Sequence, residues 1–178
     1  MFTDNANKIF VRSIEDYHKW DDVDKTLENP YAAGSLDALL YEKNWVDTVQ
    51  WHLEDIIRDP EIDPVKALEI KRRIDRSNQV RTDMVEYIDS YLLDKYKYIT
   101  PLANARLNTE TPAWAIDRLS ILALKIYHMH REVIREDVDA HGLLGVLTGG
   151  LTSSAGGITA ALLFGLFSSM LFRNTVGG

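Results

Sequence analysis

Three side chains stand where a water-soluble helical chain should place hydrocarbon. Arg81 falls between Ile74, Met84 and Ile88 on one helical face, and His130 falls between Leu119, Ala123 and Ile126 on another. His52 sits at the edge of a third apolar stripe, beside Trp45 and Ile56, with Thr48 and Asp55 on its polar flank. A guanidinium taken out of water without a partner is strongly penalised. Arg81 is therefore expected to meet a carboxylate or carbonyl from the preceding helix, with Asp55 the first choice. Two readings of the set His52, Asp55, Asn78, Arg81 and His130 compete. In one, an ion pair flanked by Asn78 and Gln79 fixes helix register, and both imidazoles are satisfied by hydrogen bonds. In the other, the five residues line an inter-helix pocket. There the guanidinium would hold a phosphate or carboxylate and a histidine could move a proton near neutral pH. A metal site is the remaining reading, since two histidines and one or two carboxylates could suit zinc or iron by ligand type, but no metal is assigned to this set. Paired Glu-x-x-His motifs, the di-iron signature of helical bundles, are not present, and an arginine inside the cluster repels a cation. No cofactor is expected.

These residues are positioned by helices. Phe10, Ile14, Tyr17 and Trp20 recur three or four apart and predict a helix over about 4–25. NPYAAGS breaks it, and Ser35 is an N-cap candidate for a second helix to about Arg58. Its expected core face is Leu39, Val46, Val49, Leu53, Ile56 and Ile57. Asp63-Pro64 and Thr111-Pro112 each pair a capping side chain with a first-turn proline. They open a third helix over about 64–93 and a fourth over about 112–138. In the fourth, Ile116, Leu119, Leu122, Ala123, Ile126 and Val133 are expected to face the core, with Trp114 and Ile121 on another side. A helix so apolar is expected at the centre. The prediction is an all-α fold, an antiparallel bundle of about four helices with a C-terminal glycine-rich apolar tail helix.

Charge divides the chain. All 27 acids and all but one of the 20 Lys and Arg residues precede position 142, and Arg173 is the only charge after it. The expected division is a bundle over 1–141 and a tail over 142–178. ITAALLFGLFSSMLF (158–172) is its most apolar part. Ser154–Phe172 approaches the roughly 20 residues that cross a bilayer core, and Ala161 and Gly165 are spaced for close helix packing. The tail is thus expected to engage a membrane or a protein partner through 142–172, with a homo-oligomer as one form of that association. Tethered in this way, the bundle would lie on the cytoplasmic side; otherwise the chain would be cytoplasmic. A net charge of −7 argues against nucleic acid as a partner. The chain has no cysteine, which excludes disulfides and thiolate chemistry. No phosphate-binding glycine loop, GxSxG or HExxH motif is present.

Three strings, LYEKNWVDTVQWHLEDIIRDPEIDP (40–64), KRRIDRSNQVRTDMVEYID (71–89) and NTETPAWAIDRLSILALKIYHM (108–129), resemble a bacterial family catalogued as domain of unknown function 4254. The resemblance covers about residues 5–136. WHLED and ID-x-x-NQ-x-R-x-D are its most specific elements. It implies an all-helical fold and, from the genes that often accompany the family, a connection with cell-envelope glycans. It implies no activity and no catalytic residue. The family continues a charged helix where this chain carries its apolar tail. Two functions from different classes follow. The first is a non-enzymatic helical binding or scaffold module tethered by the tail. The alternative is a small helical enzyme or binder of an anionic metabolite, such as a sugar phosphate, using a polar pocket around Arg81.

Overall fold

The structure is a computed structural model that describes residues 2–134, all within helices and the links between them. The helices are α1 (Phe2–Tyr17), α2 (Leu36–Ile57), α3 (Pro64–Tyr96) and α4 (Pro112–Val133). The all-α expectation holds. The expected tail, 142–178, lies outside the described residues. The first compact unit, Met1–His130, contains every contact discussed below.

The three capping signals act as their chemistry dictates. Ser35 Oγ accepts from the Ala38 amide at 3.1 Å. Asp63 Oδ1 accepts from both Val65 and Lys66 amides at 3.0 Å, with Pro64 at the first helical position. Thr111 Oγ1 accepts from the Trp114 amide at 3.3 Å. Each satisfies donors that a helix start leaves without an intrahelical acceptor.

Helix α1 is shorter than the apolar spacing predicts. It ends at Tyr17, and the Trp20 and Asp21 amides both bond back to the Tyr17 carbonyl at 3.0 Å. Asp21 then takes a positive φ of 49°, which turns the chain out of the helix; aspartate tolerates that region better than most residues. Trp20 is consequently 63% exposed rather than core.

Helices α2, α3 and α4 alternate in direction, as short connections favour. Asp47 meets Arg81 and Gln50 meets Asn78 across α2 and α3. Asp89 on α3 accepts from the Ala113 amide at the start of α4. Helix α1 instead runs parallel to α2. Asn5 bonds Asp37 at one end and His18 meets His52 toward the other. The link over 18–35 is long enough to run back the length of α1, which is about 24 Å at 1.5 Å per residue.

The core draws on all four helices. Phe10, Ile14 and Tyr17 of α1, Leu40, Tyr41 and Trp45 of α2, Ile88 of α3, and Ile116 and Leu124 of α4 are buried together. Leu53, Ile70 and Ile74 form a second cluster, with Val23, Val49, Ile56 and Ile57 against it. The central element is α2 rather than α4. Its buried residues include Leu40, Tyr41, Lys43, Asn44, Trp45, Asp47, Thr48 and Leu53, which spread around much of its circumference. Helix α4, expected at the centre, leaves Trp114, Leu122, Ile126 and Val133 exposed.

Candidate functional site

The centre of the bundle is polar. Lys43, Asn44, Asp47 and Thr48 recur at the spacing of one α2 face, and all are buried, Lys43 to 0% exposure. Lys43 Nζ lies 2.5 Å from Asp47 Oδ2 and 2.5 Å from Asp117 Oδ1 of α4. Arg81 Nε of α3 donates to Asp47 Oδ1 at 2.6 Å, and its Nη2 lies 3.4 Å from Asp117 Oδ1. Ser120 Oγ donates to Asp47 Oδ2 at 2.6 Å and accepts from Asn44 Nδ2 at 3.0 Å. Two cations thus face two carboxylates from three helices. Such a cluster tolerates burial because each charge is paired and hydrogen-bonded.

Arg81 therefore finds carboxylates, but not the expected one. Asp55 is 53% exposed on the surface of α2 and pairs with Arg58 at 2.9 Å. Eight residues, just over two helical turns, separate Asp47 and Asp55, which rotates Asp55 by about 80° from Asp47 and off the face that α3 covers. Asn78 takes part in a neighbouring chain, with its Oδ1 accepting from Gln50 Nε2 at 2.8 Å while Ser77 Oγ donates to Gln50 Oε1. His130 is exposed and does not belong to the core face. Of its expected neighbours Ile126 is exposed too, whereas Ala123 is buried and Leu119 packs against the core. The five predicted residues do not form one group: Asn78 and Arg81 face α2, His52 lies elsewhere, and Asp55 and His130 are on the surface.

A cleft of about 150 Å³ opens beside the charged cluster. Trp51, Glu54 and Arg58 line it together with Asp47 and Arg81. Arg81, with a side chain 23% exposed, is the member of the cluster that reaches solvent most.

His52 belongs to a second convergence. His18 follows the last residue of α1, His52 lies in α2 and His128 in α4. One ring nitrogen from each lies within 4.8 Å of the others. His18 and His52 bring their Nε2 atoms to 3.2 Å. His18 Nδ1 lies 2.7 Å from the Ile14 carbonyl, so Nδ1 carries the proton and donates. Burial pushes the His52 imidazole below its ordinary pKa, and His18 adds to that, against opposing pulls from Asp21 and Asp55. Asp21 Oδ1 stands 3.8 Å from His52 Nε2.

Sequence reasoning missed Lys43, Asp47, Asp117 and Ser120, because a Lys and an Asp four apart read as a surface ion pair. It also missed His18 and His128. A signal for these was present. Of the five histidines, only these three directly follow an aromatic residue: Tyr17-His18, Trp51-His52 and Tyr127-His128.

Comparison with known proteins is informative at the level of family alone. The family model described as a protein of unknown function (DUF4254) matches residues 37–144, more than half of the chain. The chain belongs to this family. No curated protein and no solved structure matched it. Among the described residues, no helix is long and apolar enough to cross a membrane.

Proposed function

We propose that this chain is a non-enzymatic helical binding module that docks, through apolar surface and its C-terminal segment, on a membrane or a protein partner on the cytoplasmic side of the envelope. The observation that carries the reading is the stripe Trp114, Leu122 and Ile126, which α4 leaves exposed although the bundle has a core to receive it. Exposed apolar stripes on helices are where partners dock. The uncharged sequence 142–172 supplies further apolar area of the same kind. The charged cluster supports the same view, since its cations and carboxylates are engaged with one another and hold three helices in register.

The test compares the full chain with a Leu163→Asp, Phe167→Asp double variant by membrane fractionation and by solution mass. Binding through the tail predicts that the parent chain enters the membrane fraction or an oligomer, and that the variant shifts to soluble monomer. Soluble, monomeric behaviour of both sinks the proposal.

A second reading has one observation in its favour: Arg58 and Arg81 both line the cleft beside the cluster. Two guanidiniums suit a phosphate-bearing metabolite such as a sugar phosphate. Calorimetric titration with glucose 6-phosphate tests it. Saturable binding that Arg58→Gln weakens supports this reading, and no binding at millimolar ligand removes it.

A further inference from the structure

The three histidines are held by their neighbours in a closed exchange. Tyr17 stacks on the ring of His52, with centroids 5.0 Å apart. Trp51 stacks on His128 at 4.9 Å with ring planes within 4°. Tyr127 lies against His18 at 4.4 Å. Each aromatic thus precedes one histidine in sequence and clamps a different one in space. The clamps restrict ring rotation, and the ring nitrogens of three chain segments converge on one point.

From this convergence we propose a transition-metal site, zinc in the first instance, formed by Nε2 of His18, Nε2 of His52 and a ring nitrogen of His128. Three features support it. Zinc–nitrogen bonds of about 2.0–2.1 Å place tetrahedral ligand atoms about 3.3–3.4 Å apart, and the His18–His52 separation of 3.2 Å already matches that edge. The Ile14 carbonyl fixes the His18 proton on Nδ1 and leaves the Nε2 lone pair directed inward, the arrangement that metal-bound imidazoles usually show. Asp21, turned back by its positive φ, places a carboxylate 3.8 Å from His52 Nε2. With Asp22 and Asp24, of which Asp24 is paired with Arg73 at 2.9 Å, it leaves the 18–24 turn net acidic even with Lys19 in it. Three imidazoles with a carboxylate or water in fourth place suit zinc by ligand type. The site is distinct from the Lys43–Arg81 cluster, whose cations would repel an ion, and it does not rest on the docking reading above.

The alternative is a purely aromatic packing cluster in which His52 donates Nε2–H to His18. The two are separated by titrating the full chain, stripped with a chelator, with Zn²⁺ against a chromophoric competitor, and by recording the visible spectrum with Co²⁺. A metal site predicts one tight equivalent per chain and the intense absorption of tetrahedral cobalt. His52→Ala and His18→Gln should each weaken binding by more than the roughly 10–100-fold that loss of an outer-shell partner costs, whereas His130→Ala, at an exposed histidine outside the cluster, should bind as the parent does. Circular dichroism of the metal-free variants checks that each is folded. Absence of a tight equivalent in the parent chain overturns the proposal, whatever the variants do. So does binding that a folded His52→Ala or His18→Gln retains in full, or that His130→Ala loses.

Discussion

Lys43 has four methylenes and a charge enclosed without solvent, so its removal exposes the logic of the whole cluster. In Lys43→Met, Asp47 and Asp117 are left with Arg81 as their shared cation, and one buried negative charge is uncompensated. Unfolding in urea should show a loss of about 3–5 kcal/mol, the range for breaking a buried ion pair from one side. Arg81→Met should destabilise too, but by less, since Arg81 keeps contact with water. A second residue-scale test concerns Asp16, which accepts from the buried Tyr41 hydroxyl at 3.0 Å. Burial pushes its carboxyl up, but the hydrogen bonds from Lys19 and Tyr41 and the charges of Lys19 and Arg12 together outweigh that and hold it below the usual value of 3.8. A carboxyl depressed in the folded state stabilises above its unfolded pKa and loses that contribution as pH falls through the folded one. Tyr41→Phe should therefore cost about 1–2 kcal/mol near neutral pH, and the difference from the parent should shrink in acid below the unfolded value. Stability curves of both forms from pH 2 to 7 measure this.

At the scale of elements, the capping residues were legible because capping is local. A side-chain oxygen two or three residues from an orphan amide needs no tertiary information. Asp63 serves two amides and Thr111 serves one at longer range. Asp63→Ala should thus lower the melting temperature more than Thr111→Ala, with losses of about 1–2 and about 0.5–1 kcal/mol. Equal effects would mean that the second Asp63 bond contributes nothing. Helical faces were less legible. The α2 pattern contains two stripes, the apolar one at Val49, Leu53 and Ile56 and a polar one at Lys43, Asp47 and Thr48. Periodicity alone assigns polar stripes to solvent. The wrapping of α2 by other helices reverses that assignment. On α4 the reverse occurred: Leu122 and Ile126 read as core and are exposed, while Asp117 and Ser120 are inside.

Over the molecule as a whole, α1 is joined to the rest through one shared core and a few polar contacts. Phe10 sits at 0% exposure within it. Phe10→Ala should cost about 3–5 kcal/mol by cavity formation and lost transfer energy. Because the mixed core spans α1, α2, α3 and α4, the loss should appear as a lower urea midpoint with an unchanged slope. A change in slope, or a separate early transition, would show that α1 unfolds on its own. The amino-acid sequence alone determined the helical class, the four helices and all three capped starts, since each follows from local periodicity and backbone hydrogen-bond chemistry. It also carried the three aromatic-histidine dipeptides, though nothing in their spacing showed that they converge. Which helix is central, which carboxylates receive Arg81 and which histidines meet were decided only by the tertiary structure. Those outcomes depend on how separate segments rotate and pack against one another, and a one-dimensional pattern does not contain that rotation.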